Sequence, residues 1–128
     1  MIVEMKSSKN REDELPSIPD LDRTIHEPAR LTIMAHLFVI ESADFLFLQR
    51  QTGLTWGNLS AHVSKLEAAG YVEVKKEFVD RKPHTLLHLT QKGRAAFQDY
   101  RGSMKRMFEG LPPDSGSTLL IRPIEGGG

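Results

Sequence analysis

Between residues 28 and 109 the spacing of apolar side chains changes twice, from a helical period to strict alternation and back again. Leu31, Met34, Ala35 and Phe38 share one face of a helix over residues 28 to 40, while Ile33, Leu37 and Ile40 share another. Such a helix is apolar around much of its circumference and should be buried on two sides. Pro28 suits its first turn, and Leu21 and Ile25 predict a shorter helix ahead of it. Asp44 is placed to cap a third helix over residues 45 to 52, Gly53 to end it in left-handed backbone, and Thr55 to cap the next one. Two helices separated by about three residues have the spacing of a helix-turn-helix.

Gly70 stops the second helix of that pair, and from Tyr71 the period becomes two. Val72, Val74 and Phe78 alternate with Glu73, Lys75 and Glu77; a turn at residues 80 to 83 leads to Thr85, Leu87 and Leu89 alternating with His84, Leu86 and His88. This predicts a β-hairpin with a charged tip. Thr90 then caps a last helix reaching about Glu109, which Leu111, Pro112 and Pro113 end. Residues 1 to 19 are polar and hold Pro16 and Pro19, and residues 111 to 128 hold three prolines and a terminal glycine run. They predict a flexible arm and a flexible tail on either side of one domain spanning residues 20 to 110. The expected fold class is mainly α with a small β-hairpin, that is, α+β.

Composition narrows the picture. A chain of 128 residues with 39% hydrophobic content can bury one real core. No run approaches the ~20 apolar residues that cross a bilayer. The N-terminal segment, with Lys6, Lys9, Arg11, Glu12, Asp13 and Glu14, lacks the apolar centre of a signal peptide, so a cytoplasmic protein without a membrane partner is expected. The absence of cysteine excludes disulfides, thiolate metal sites and cysteine nucleophiles. Seventeen basic residues balance seventeen acidic ones, but unevenly along the chain. Residues 46 to 94 carry eight Lys/Arg against four acids, whereas residues 1 to 45 carry five against nine. The positive excess coincides with the second helix of the pair and the hairpin.

At about 100° per residue, Leu59, Val63, Leu66 and Gly70 form the inward stripe of the helix over residues 55 to 69. Its outward face is then Gly57, Ala61, Ser64 and Ala68, flanked by Asn58 and Lys65 on one side and Ser60 on the other. Small and hydrogen-bonding side chains let a helix approach a surface closely, and a DNA major groove about 12 Å wide accepts one. A helix-favouring alanine face is the ordinary alternative, but the basic hairpin beside it favours DNA reading. Thr55 and the positive helix end suit a phosphate. Asn58 is the candidate for a base contact, since an amide bonds bidentately to adenine, and Ser60 and Lys65 suit the backbone. For Trp56, partial packing and DNA contact both remain open, while His62 reads as a boundary residue bonded locally. Arg81 and Lys82 at the hairpin tip, with Lys75 and Lys76 leading to it, suit the negative minor groove or the backbone.

Other chemistries find little support. His84 and His88 would lie roughly 13 Å apart along a strand, too far to share one ion, and His26, His36 and His62 are scattered. Neither a metal nor another cofactor is expected. No paired carboxylates, nucleophile with base, or phosphate-cradling glycine loop is present, so an enzyme is not expected either. Phe97, Tyr100, Met104, Met107, Phe108 and Leu111 form an apolar stripe on the last helix, and a second copy of the chain is the expected partner for it. A two-fold pair would set two reading helices about 34 Å apart, as an inverted-repeat operator requires.

In order and spacing, residues 53 to 72, Arg-Lys-Pro-His-Thr at 81 to 85 and Leu-Thr-Gln-Lys-Gly at 89 to 93 resemble winged helix-turn-helix regulators of the MarR and ArsR kinds, in a cysteine-free branch. The resemblance covers about residues 20 to 110. It implies a dimeric transcription regulator with the major groove at Thr55, Gly57, Asn58, Ser60, Ala61 and Lys65, a wing tip at Arg81 and Lys82, and room for an unidentified small-molecule effector. Ser60-Ala61-His62-Val63 resembles the Ser-x-His-Leu segment of the arsenic-sensing kind. The cysteines of those sensors are absent, so metal sensing is not carried over. A winged helix used as a protein-interaction module, without sequence-specific DNA binding, is the competing expectation, favoured by zero net charge and an acidic first third.

Overall fold

Local signals start and stop the elements. In the computed structural model, which describes residues 20–114, these are α1 (Pro28–Val39), β1 (Ala43–Asp44), α2 (Phe45–Thr52), α3 (Trp56–Ala68), β2 (Val72–Val79), β3 (Lys82–Leu89) and α4 (Gln91–Glu109). The arm expected over residues 1 to 19 and the tail from residue 115 lie outside the described residues. Glu27 caps α1 by accepting the Arg30 amide at 2.8 Å, with Pro28 in the first turn. Asp44, Thr55 and Thr90 cap α2, α3 and α4 in the same way, each accepting an amide of the first turn. Gly53 ends α2 at φ 71°. At the end of α3, Gly70 adopts φ 81°. The Tyr71 amide reaches back to the Leu66 carbonyl and the Gly70 amide to that of Glu67, both at 2.9 Å, in the Schellman arrangement.

The helices pack on one face of a three-stranded antiparallel sheet of order β1-β3-β2. Ile33, Met34 and Leu37 of α1, Leu48 of α2, Leu59 and Leu66 of α3 and Leu87 of β3 are all fully buried. Helix α1 is thus covered on both of its apolar faces, as its pattern predicts, and Leu31, Ala35, Phe38 and Ile40 pack around the same core.

Three expectations are corrected. Leu21 and Ile25 are core residues, but the segment holding them is a turn, because the Asp22 carboxylate accepts the amides of Thr24 and Ile25. An aspartate bonding its own downstream amides competes with helix. Strand β1 was not expected; its two residues pair Ala43 with Leu87 and Asp44 with Leu86. The hairpin turn is tighter than residues 80 to 83: Val79 pairs with Lys82, leaving a two-residue turn of Asp80 (φ 52°) and Arg81 (φ 68°). Positive φ at both positions matches the right-handed twist of the strands. In such a turn the closing pair carries the ladder hydrogen bonds and the next pair does not, so Pro83, opposite Phe78, costs the ladder no donor.

Two polar junctions lock this arrangement. At the first, the Thr90 hydroxyl donates to the Gly70 carbonyl at 2.6 Å while accepting the Gly93 amide at 2.9 Å, and the Thr90 amide donates to the Tyr71 carbonyl at 3.0 Å. Gly93 is buried so closely that a Cβ there would lie 2.0 Å from the Tyr71 carbonyl oxygen. The Tyr71 hydroxyl donates to Asp22 at 2.5 Å; burial, with this carboxylate beside it, pushes the phenol up to about 12. At the second junction, Asp44 caps α2 through one carboxylate oxygen and accepts His84 Nδ1 of β3 at 2.6 Å through the other. The His84 hydrogen bond holds the Asp44 carboxyl below its ordinary value, against a smaller opposing effect of burial.

Each junction yields a test. Gly93→Ala should destabilise the fold by more than about 3 kcal/mol, read as the shift of the urea unfolding midpoint, because backbone rather than a mobile side chain blocks the new methyl. Asp44→Ala should cost about 1 kcal/mol at neutral pH. A depressed folded-state carboxyl stabilises above its unfolded value, and that contribution is lost as pH falls through the folded one. The gap between wild type and Asp44→Ala should therefore close below pH 3.8. A constant gap down to strongly acidic pH would contradict this role for the carboxylate.

Candidate nucleic-acid interface

Helix α3 is anchored by Leu59, Val63 and Leu66, which the core buries, and this sets which side of it faces solvent. Gly57, Asn58, Ser60, Ala61, Ser64 and Lys65 are all exposed on that side, as are Thr55 and Trp56 at the helix start. The outward face contains no side chain bulkier than lysine after the first turn, so the backbone can come close to a flat or grooved partner. Glu67, also exposed, lies near the far end, where a negative charge would disfavour a phosphate.

Trp56 both packs and remains available. Its ring stacks on Phe45 of α2, with centroids 5.3 Å apart and planes 11° from parallel, yet 52% of its surface stays exposed. This stack ties the starts of α2 and α3 together across the Gly53-Leu54-Thr55 turn. Gln49 closes the same turn by donating to the Leu54 carbonyl at 3.1 Å.

His62 is a boundary residue, half-buried as expected, but its partners lie on another helix rather than nearby in the chain. Arg30 of α1 donates to its Nδ1 at 3.1 Å, and Glu27, the α1 cap, lies 3.6 Å from the same nitrogen. Arg30 also donates to the Thr24 carbonyl. A guanidinium thus links the turn before α1 to the side of α3. Sequence reasoning missed this link because its partners are 32 residues apart, and no periodicity connects them.

The wing stands beside α3 on β2 and β3. Lys75, Lys76, Arg81 and Lys82 are exposed along it, interleaved with exposed Glu73, Glu77 and Asp80. Glu73 is engaged across the strands by His88 at 2.7 Å, and His84 by Asp44. Both strand histidines therefore have carboxylate partners. Among the described residues, no group of three or more His, Asp or Glu side chains is arranged to hold a metal ion. No helix there is long and apolar enough to cross a membrane.

The stripe on α4 divides. Phe97 and Tyr100 are 6% exposed and belong to the intrachain core: Phe97 packs on Phe38 at 5.1 Å, and the Tyr100 hydroxyl bonds His26 at 2.7 Å. This corrects the expectation that a second chain is needed to cover them. Met104 and Met107 are half-buried, and Phe108 and Leu111 are largely exposed. Met104 and Phe108, with Leu31 and the edges of Phe97 and Tyr100, line a groove of about 650 Å³ beside Arg101 and Lys105.

Residues 29–108 match the family model described as a winged helix DNA-binding domain. An uncharacterized protein of Methanocaldococcus jannaschii, MJ0432, is 41% identical over 71 residues, spanning 56% of this chain and 77% of the relative. A solved transcriptional regulator homologue from Pyrococcus horikoshii is 33% identical and superposes with a TM-score of 0.67, covering 72% of this chain and 91% of that one. The structure of NadR in complex with 4-hydroxyphenylacetate shares the fold at 17% identity, with a TM-score of 0.59 over 98% of this chain and 86% of its own. With its helix-turn-helix, hairpin wing and trailing helix in the matched order, the chain belongs to the winged helix DNA-binding domain family of transcription regulators.

Proposed function

We propose that the protein acts as a homodimeric transcription regulator in the cytoplasm. It would read an inverted-repeat operator with α3 in the major groove and the wing at the minor groove or backbone. The observation that carries this reading is the outward face of α3. It is made of small and polar residues that are all exposed, on a helix whose opposite side is locked into the core. In this arrangement Asn58 contacts a base edge, Thr55, Ser60 and Lys65 meet the phosphate backbone, and Gly57, Ala61 and Ser64 allow close approach. Trp56 packs against the backbone sugars while remaining stacked on Phe45. Arg81 and Lys82 supply the wing contact.

Dimerisation is assigned to the outer part of the α4 stripe, Met104, Met107, Phe108 and Leu111, because Phe97 and Tyr100 are already covered within the chain. Phe108 at 61% and Leu111 at 49% exposure would each remove apolar surface from water on pairing. A small-molecule effector, such as the aromatic acid bound by NadR, is compatible with this reading and not required by it.

Titration of a labelled duplex at two salt concentrations tests the reading. Affinity should fall steeply with salt, and Lys65→Ala and Arg81→Ala should each reduce the slope by about one. Asn58→Ala should cost about 1–3 kcal/mol and relax preference at one base position. Absence of salt-dependent binding to any duplex would refute the proposal, and unchanged sequence preference in Asn58→Ala would remove that residue's role. In sedimentation experiments, the double substitution Met104→Glu with Phe108→Glu should convert a dimer to a folded monomer. A dimer that persists would place the interface elsewhere.

A further inference from the structure

The hairpin carries an apolar feature that neither the core nor the charged tip accounts for. By register, Val72, Val74, Lys76 and Phe78 of β2 share a face with Leu89, Leu87, Thr85 and Pro83 of β3. Val72, Leu87 and Leu89 are buried against the helices, so Phe78 and Pro83 continue the inward-facing side of the sheet beyond the end of the core. Phe78 is 76% exposed, the most exposed aromatic among the described residues, and Pro83 opposite it is exposed too. In a pair without ladder hydrogen bonds the side chains stand closest, so the two rings form one ledge.

The ledge is held firmly, and cations outnumber acids around it. The two-residue turn and the continuous pairing from Val72–Leu89 to Val79–Lys82 fix its position. Lys76 lies one rung inward on the same face, and Lys75, Arg81 and Lys82 lie close by, all exposed, against two exposed acids, Glu77 and Asp80, which leaves a positive excess. An apolar protein surface laid over the ledge would strip water from these charges without pairing them. A polyanion that also offers apolar faces satisfies both, and the base stack within the DNA minor groove is such a surface.

Resting on the regulator reading above, we propose that Phe78, backed by Pro83, is a wedge that enters a base step from the minor groove, partly unstacks it and bends the bound duplex. Apolar side chains inserted in this way kink DNA by about 20–90°. Pyrimidine–purine steps unstack most easily, so the wedge selects TA or CA/TG steps by deformability, at a position that no hydrogen bond reads. The wing then contributes to specificity through shape, in addition to the charge of Arg81.

The probe is an A·T-rich duplex with donor and acceptor dyes at its ends, and the same duplex with 2-aminopurine at a TA step. Wild-type binding should raise both energy transfer and 2-aminopurine fluorescence. Phe78→Ala, an exposed position at which folding is undisturbed, should lose both signals. It should bind about tenfold more weakly, about 1.4 kcal/mol, with its salt dependence intact. Arg81→Ala should show the reverse: a salt slope lower by about one and a duplex that still bends. Bound duplex that stays straight with wild-type protein overturns the wedge and leaves the regulator reading standing, as does bending that survives Phe78→Ala. If Phe78→Ala changes the sedimentation of the free protein and not the DNA signals, the ledge is a protein contact and the wedge is refuted. No binding of wild type to any duplex at low salt overturns both.

Discussion

The arrangement depends above all on the junction where α3 ends, β3 ends and α4 begins. Within four residues the Thr90 side chain and backbone satisfy the Gly70 carbonyl, the Tyr71 carbonyl and the Gly93 amide. These are groups that a helix terminus and a strand end would otherwise leave without partners. Because each bond has a backbone group of the junction at one end at least, and Thr90 joins all three, they set the direction of α3 relative to the wing more rigidly than apolar packing alone would. Gly93 lets the chains approach to a distance that excludes even a methyl group. The hydrogen bond from Tyr71 to Asp22 extends the junction to the turn ahead of α1, so three separate stretches of chain meet at one point.

From this point the division of α3 into an inward and an outward face follows. Leu59, Val63 and Leu66 spend their apolar surface on the core, leaving Asn58, Ser60, Ala61 and Ser64 in water. The helix is also steadied by a polar contact at its side, Arg30 on His62, and by an aromatic one at its start, the Phe45 stack on Trp56. The Arg30 contact leaves the outward face free, and the stack holds Trp56 at its edge with half of its surface exposed. A reading helix needs that combination, because recognition by direct contact requires side chains held in place by groups other than those that meet the partner.

Helix α4 shows how one periodic stripe serves two environments. Its inner positions, Phe97 and Tyr100, close the core beside Phe38 and His26, and the Phe38 ring is flanked by the guanidinium groups of Arg94 at 4.9 Å and Arg101 at 5.5 Å. Its outer positions run past the end of the domain core and leave Phe108 and Leu111 exposed. A stripe of constant spacing looks the same over its whole length in sequence. Only the place where the other elements stop reveals the boundary between intrachain burial and a surface available to another molecule.

Signals carried within a few residues were legible in the sequence. The caps at Asp44, Thr55 and Thr90, the left-handed glycines 53 and 70, the inward stripe of α3 and the alternation of the hairpin all arise from backbone geometry and local side-chain chemistry. The helix-turn-helix and its outward face could therefore be phased before any contact was known. Tertiary structure decided what depends on distance along the chain. It drew the two residues of β1 into the sheet, since so short a segment has no alternation to display. It turned the Leu21 to Ile25 segment away from helix through Asp22, and placed Asp44 beside His84 and Arg30 beside His62. It also carried Phe78 beyond the core although its alternation matched that of Val72. The reason is the same in each case: periodicity states which side chains share a face, while the reach of the neighbouring elements determines how far along that face burial extends.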